Sequence, residues 1–174
     1  MKQLIIGMGE VGTALYHVLD DSSNIYSFDS KIPNQPQWLS IKFDIMHICF
    51  SYSDNFISQV KEYQEKYTPK QTIIHSTVPV GTSRMCRAIH SPIRGMHPRL
   101  EEGIRTFPKF IGGEQASEVA DIFRRANIRV VLFDKPETTE AMKLFDTEYY
   151  RLCIEFAQRV KRYCNEHDLN FHEV

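Results

Sequence analysis

Residues 3–12 read Gln-Leu-Ile-Ile-Gly-Met-Gly-Glu-Val-Gly. The stretch opens on a short apolar run, residues 3–7, that has the character of a buried strand. Gly7-Met8-Gly9-Glu10-Val11-Gly12 follows, a G-x-G-x-x-G, and then Val11, Leu15, Val18 and Leu19 fall at helical spacing over 10–20. The glycine pattern alone is a weak signal. Between a strand and a helix it is the fingerprint of a dinucleotide-binding βαβ unit. Gly7 permits the tight turn, Gly9 lets a pyrophosphate approach the backbone, and Gly12 lets the helix pack close to the strand. The unpaired amides and the positive end of the helix then favour an anion. Gly7, Met8, Gly9, Glu10, Val11 and Gly12 are therefore candidate cofactor-binding residues.

Working outward, Asp20, Asp21, Ser22 and Ser23 break the helix. Residues 24–28 form a second strand that ends at Asp29, 17 residues after Gly12. A carboxylate there accepts hydrogen bonds from both ribose hydroxyls and repels a 2′-phosphate, which favours NAD over NADP. Lys31, two residues on, softens that discrimination.

The remaining chain alternates strands and helices. Residues 30–37 read as a loop and Trp38 to Lys42 as a short strand. Residues 44–50 form a buried strand, after which Ser51 and Tyr52 are further candidate cofactor contacts. Ser53 or Asp54 is placed to cap a helix over 55–67. A strand at 71–75, a short helix near 82–89, a loop-rich stretch beyond it, a strand from Lys109, a helix at 115–126 and a strand at 129–133 complete the pattern. Pro136 suits the first turn of a helix that no Pro or Gly interrupts before His167. Its face Met142, Phe145, Tyr149, Leu152, Phe156, Val160 and Tyr163 steps by three and four. This order predicts an α/β fold, a Rossmann-type doubly wound and mostly parallel sheet, with a long C-terminal helix. Residues 1–135 are the expected dinucleotide-binding domain and 136–174 a helical appendage suited to dimerisation.

Composition bounds the function. The 174 residues are 42% hydrophobic and 25% charged, the balance of an ordinary globular protein. A formal charge of −1 provides no basic field for nucleic acid. No window offers the ~20 apolar residues of a membrane span, and the N-terminal apolar run is too short for a signal peptide. Cys49, Cys86, Cys153 and Cys164 form no C-x-x-C and no zinc pattern. No H-x-x-x-H or carboxylate cluster suggests a metal. The expectation is a reduced, cytoplasmic protein.

Four stretches carry a more specific likeness. They are IIGMGEVG with FDS at 28–30, DIMHICFSYS at 44–53, IIHSTVPVGTSR at 73–84, and the helix from TTEAMKLFD at 138–146 through CNEHDLN at 164–170. Together they resemble the N-terminal part of the UDP-glucose/GDP-mannose dehydrogenase family. S-T-x-P-x-G-T after an apolar strand is the most distinctive of them. The resemblance implies a Rossmann domain, an NAD cofactor, and a long central helix that forms a homodimer contact. Family members oxidise a sugar C6 alcohol to an acid in two NAD-dependent steps, through a thiohemiacetal on a cysteine of their C-terminal half. The likeness covers only the first half of such an enzyme, and none of the four cysteines falls in a matching motif.

Residue by residue, the resemblance implies that Thr77 lies near the nicotinamide and that Lys143, in Glu140-Ala-Met-Lys143, stabilises an oxyanion. The family asparagine four residues later is Thr147 here. The family's catalytic glutamate segment corresponds to Met96-His97-Pro98-Arg99, so Pro98 or Arg99 takes the glutamate's place. The four-electron chemistry is therefore not expected from this chain alone.

Thr77, Lys143 and His97 are the candidate catalytic residues, His97 because a histidine is a ready general acid or base near neutrality. His75 and Arg99 are expected to join them at the C-terminal ends of the strands. Residues 84–109 hold six cationic side chains against Glu101 and Glu102, which suits a small anionic or sugar-nucleotide-like substrate. Two functional classes fit. One is a minimal NAD-dependent dehydrogenase that moves one hydride to or from an alcohol carbon. The other is a non-catalytic NAD-binding module, or a subunit that meets a separately encoded partner domain.

Overall fold

The computed structural model describes residues 1–19 and 24–174. The helix break assigned to Asp20, Asp21, Ser22 and Ser23 lies outside the described residues. The chain forms two compact units, Met1–Ala141 and Met142–Val174.

The first unit is built on a seven-stranded sheet. Its strands are β1 (Gln3–Ile6), β2 (Ile25–Phe28), β3 (Ile45–Ile48), β4 (Gln71–Ile74), β5 (Ile89–His90), β6 (Lys109–Gly112) and β7 (Val130–Phe133). They lie in the order β2-β1-β3-β4-β5-β6-β7. All neighbours pair parallel except β5 and β6, which run antiparallel through His90 and Gly112. β1 and β3 are buried along their whole length, as strands of a sheet covered by helices on both sides are.

Alternation along β1 sorts its side chains between two cores. Ile5 points to one side, with Ile45 and Ile73, against α1 (Glu10–Leu19), α4 (Leu100–Thr106) and α5 (Ala116–Arg125). Leu4 and Ile6 point to the other, with Met46, Ile48 and Ile74, against Phe56, Val60 and Tyr67 of α2 (Phe56–Tyr67). Each such side chain, fully buried, is worth about 1.5–3 kcal/mol. The mostly parallel Rossmann-type sheet is as the sequence predicts.

Local expectations fail at four places. Trp38 to Lys42 form a turn instead of a strand. Trp38 sits at φ 51°, Ile41 N–H donates to Trp38 O at 3.0 Å, and the indole N–H donates to Ser27 O at 2.9 Å. The indole is held edge-on against Tyr26, so packing of one side chain overrides β propensity. Second, neither Ser53 nor Asp54 caps α2; Asn55 holds the cap position without a side-chain bond. Third, the helix expected near 82–89 shrinks to α3 (Thr82–Met85), and the chain turns back into β5. Fourth, α4 lies in the stretch read as loop. Its seven residues are too few for a periodic signal, yet Leu100 and Ile104, four apart, bury one helical face on the α1 side of the sheet.

A last helix, α6 (Pro136–Glu166), spans 31 residues. Its start belongs to the first unit, where Thr139 and Glu140 are fully buried. The division between the two units falls within α6, after Ala141. In the second unit the expected apolar stripe is exposed, with Phe145 at 74%, Tyr149 at 66% and Phe156 at 65%. The chain then turns through Asp168 at φ 51°, and Leu169 N–H closes on Cys164 O at 2.8 Å. Among the described residues no helix is long and apolar enough to cross a membrane.

Candidate functional site

The strands set the geometry of the site. Ile6 is in register with Phe28 on one side and Ile48 on the other, and Ile48 with Ile74. Parallel strands end at the same level, so Asp29, the glycine loop, Cys49–Tyr52 and His75–Thr77 line up along one edge of the sheet. The order reverses between β1 and β3, and in open α/β sheets ligands bind outside the carboxyl ends of the strands at such a reversal.

The glycines behave as that position demands. A Cβ on Gly12 would lie 1.9 Å from Gly7 O, so α1 approaches the loop as closely as it does only without a side chain there. A Cβ on Gly9 would meet nothing within 4 Å; the space above it is open. The first ladder bond of α1 runs from Thr13 N–H to Gly9 O at 2.9 Å. The amides of Glu10, Val11 and Gly12 therefore precede the ladder, as donors at the positive helix end.

Asp29 is tethered on both oxygens. Met8 N–H donates to Oδ2 at 2.7 Å and Lys31 N–H to Oδ1 at 2.9 Å, while Asp29 N–H donates to Gln35 Oε1 at 2.8 Å. A carboxylate has about four acceptor positions, so each oxygen keeps one for a hydroxyl. Beyond β3, Ser51 and Tyr52 are exposed, the Tyr52 ring standing 5.5 Å from Phe56. An open loop glycine, free helix-end amides and a fixed diol acceptor on one edge fit a dinucleotide.

A cleft of about 1000 Å³ runs beside this edge between α1 and the segment from Pro98 to Thr106, lined among others by Met8, Gly9, Glu10 and Arg99. His97 Nδ1 sits 2.6 Å from Glu10 Oε2, so the structure does join His97 to the glycine loop. Thr77 is exposed at the end of β4, beside Ser76, whose hydroxyl donates to Phe50 O at 2.5 Å. Lys143 belongs to the second unit, half-buried in α6, with its carbonyl accepting Thr147 Oγ1 at 2.9 Å.

Two expectations are corrected. His75 does not face the cleft. It is buried within the sheet in a polar row, with Nε2 2.9 Å from His47 Nδ1 and Nδ1 2.6 Å from Ser91 O. His47 Nε2 reaches Gln3 Oε1 at 3.0 Å, and Lys109 Nζ donates to Ser91 O and Pro92 O at 2.7 and 2.9 Å. Burial, reinforced by the Lys109 charge, pushes His47 down to about 3 and His75 well below the usual histidine range.

The cations of 84–109 do not converge either. Arg84 pairs with Glu137, Arg94 lies over Phe107 and Phe110, and Lys109 is internal. Arg99 and Arg105 do line the cleft, but Glu10, Glu101 and Glu102 line it too. Sequence proximity concentrated charge that the fold disperses.

Sequence reasoning also missed His90, Thr139 and Glu140, all fully buried. Glu140 accepts Gly81 N–H at 2.6 Å and Ser83 N–H at 2.7 Å. A glutamate in an uninterrupted helical run gives no signal of burial. Burial pushes the thiols of Cys49 and Cys86 up to about 12 and about 11, so neither is a ready nucleophile.

No family model and no curated protein matches the sequence. Solved structures do match. A UDP-D-ManNAc dehydrogenase from Pyrococcus horikoshii superposes with a TM-score of 0.80 at 18% identity, over 99% of this chain and 56% of that one. A GDP-mannose dehydrogenase from Pseudomonas aeruginosa, in a ternary complex, gives 0.76 at 12% identity, over 99% and 55%. A reductive aminase from Aspergillus terreus in complex with NADPH gives 0.69 at 11% identity, over 99% and 68%. The chain thus spans about half the length of the two dehydrogenases. At these identities the likeness is one of fold: this chain has the Rossmann-like fold of sugar-nucleotide dehydrogenases and of reductases outside that group.

Proposed function

We propose that this chain binds NAD and serves as the dinucleotide half of a dehydrogenase-type oxidoreductase. The observation that carries the reading is the tethered Asp29 carboxylate on the same sheet edge as the open Gly9. Asp29 would take the adenosine ribose diol, and the Glu10–Gly12 amides the diphosphate. Ser51 and Tyr52 follow β3 on the same edge, and Thr77 stands at the end of β4, toward the nicotinamide. A nicotinamide bound there supplies the hydride donor or acceptor. Thr77 offers a hydroxyl to orient a substrate oxygen or water, and His97 is exposed and placed to exchange a proton with solvent. Calorimetric titration with NAD and NADP tests the reading. Saturable binding of NAD, lost with Gly9→Val, supports it; no binding of either nucleotide at millimolar concentration refutes it.

A second reading keeps the binding and drops the catalysis. It is favoured by the raised thiols of the buried Cys49 and Cys86, and by Pro98 and Arg99 in the place where the resembling family has its glutamate. In that case the chain is an NAD-binding module, or works beside a separately encoded substrate domain. Two NADH formed per UDP-glucose by the purified chain would exclude it.

A further inference from the structure

The segment 76–83, which carries Thr77, is held from beneath by buried polar groups. His90, on β5, reaches Ser76 O through Nε2 at 3.2 Å. A carbonyl only accepts, so Nε2 carries the proton of that bond. The hydroxyl of Thr139 lies 2.8 Å from Nδ1, and also donates to Pro136 O at 2.9 Å and to His90 O at 3.3 Å, so it is tied to His90 at both side chain and backbone. Its neighbour Glu140 takes the amides of Gly81 and Ser83, one on each oxygen. Two consecutive residues in the first turns of α6 therefore reach both ends of one loop. The seat is close: a Cβ on Gly112 would lie 2.7 Å from Thr139 Oγ1 and from Lys135 O. All three side chains are fully buried, and an unmade bond among them costs about 1–3 kcal/mol.

We propose that Thr139, acting through His90, and Glu140 are positioning residues that hold the Ser76–Ser83 loop in one conformation, so that Thr77 meets the nicotinamide end of the dinucleotide without a loop-ordering cost. The inference rests on the dinucleotide reading for its consequence, and on the hydrogen bonds alone for the loop itself. Neither residue touches the ligand. Their loss acts on the nicotinamide half and spares the adenosine half, which Asp29 and the glycine loop hold.

The test uses the full chain with Thr139→Val, Thr139→Ser and Glu140→Gln. In the ligand-free protein, amide hydrogen exchange over 76–83 should rise about tenfold in Thr139→Val and in Glu140→Gln, the equivalent of about 1.4 kcal/mol. Exchange over 7–12 should stay unchanged, and Thr139→Ser, which keeps the hydroxyl, should match the parent. In titrations, NAD affinity should fall about tenfold in Thr139→Val and Glu140→Gln, while ADP-ribose affinity stays within twofold. Unchanged exchange in both variants overturns the proposal. So does a rise that includes residues 7–12, or an equal loss of NAD and ADP-ribose affinity. If the exchange result holds but the parent binds no dinucleotide, the positioning stands and the dinucleotide reading falls.

Discussion

Met8 N–H donates to Asp29 Oδ2 at 2.7 Å, fastening the acid at the end of β2 to the first variable residue of the glycine loop. With Lys31 N–H on Oδ1, the carboxylate cannot rotate away from whatever sits above it. A 2′-phosphate would meet a fixed like charge, and a 2′,3′-diol a fixed acceptor. NAD should therefore bind at least tenfold more tightly than NADP, a difference of about 1.4 kcal/mol. In Asp29→Ala the preference should shrink toward parity. Calorimetry, or quenching of the Trp38 fluorescence, measures both, and tighter NADP binding by the parent defeats the assignment.

The second and third glycines of the motif should fail in opposite ways. Gly12→Ala drives a Cβ against the Gly7 carbonyl, a backbone atom with no flexible end to yield. Overpacking of this kind costs about 1–3 kcal/mol or more, so the denaturation midpoint should drop. Gly9→Ala meets no protein atom within 4 Å. Its stability should stay within about 1 kcal/mol, the scale of a helix cap change, while NAD affinity falls at least tenfold. Equal stability loss in the two variants would contradict this division of roles.

Why some of this was legible in the sequence and some not follows from range. The strand–glycine–helix unit and its acid lie within 29 residues, and their meaning comes from backbone constraints that a local pattern carries. The period of α6 is equally local. The Thr139–His90 contact joins residues 49 apart, and Glu140 meets amides 57 and 59 residues away. Polar residues at such separations look like surface residues until topology brings them together. His75 shows the converse. Its place after β4 suggested the cleft, but the pleat turns it inward, toward His47 and Lys109. Trp38 failed for a third reason: one half-buried aromatic, held by its indole N–H on Ser27 O, chose a left-handed turn against a strand-forming composition.

The exposed stripe of α6 leads to an assembly prediction. Phe145, Tyr149, Leu152, Phe156 and Tyr163 are all more than half exposed in the single chain. Burying even three or four of them gains about 1.5–3 kcal/mol each, and a two-fold is the commonest closed arrangement. Arg151, flanked by Glu148 and Glu155, keeps another face of the helix in water. We expect a homodimer through α6, with a mass near twice 20.3 kDa by light scattering at micromolar concentration. Phe156→Asp should return the mass of one chain and leave NAD binding measurable. A parent chain that stays monomeric on tenfold concentration rules the dimer out.

The polar row through the sheet makes stability depend on pH in a stated direction. His47 and His75 both have native pKa values below the unfolded value of about 6.5, because burial and the nearby Lys109 charge disfavour the imidazolium. Below pH ~6.5 the unfolded chain binds protons that the native chain refuses, so stability falls as pH falls. Above that value both states are neutral and this contribution is complete. The loss continues downward toward pH 3, where His47 itself takes a proton. Two such groups give a limiting slope of about 2.7 kcal/mol per pH unit. Urea midpoints at pH 7.5, 6.0 and 5.0 should therefore be steeply ordered, highest at 7.5. His47→Gln removes one of the two titrations, so it should roughly halve the slope whatever it does to the absolute midpoint. A midpoint flat between pH 7.5 and 5.0 in the parent would show that the two imidazoles are not held neutral in the fold. An unchanged slope in His47→Gln would place the acid sensitivity on other groups.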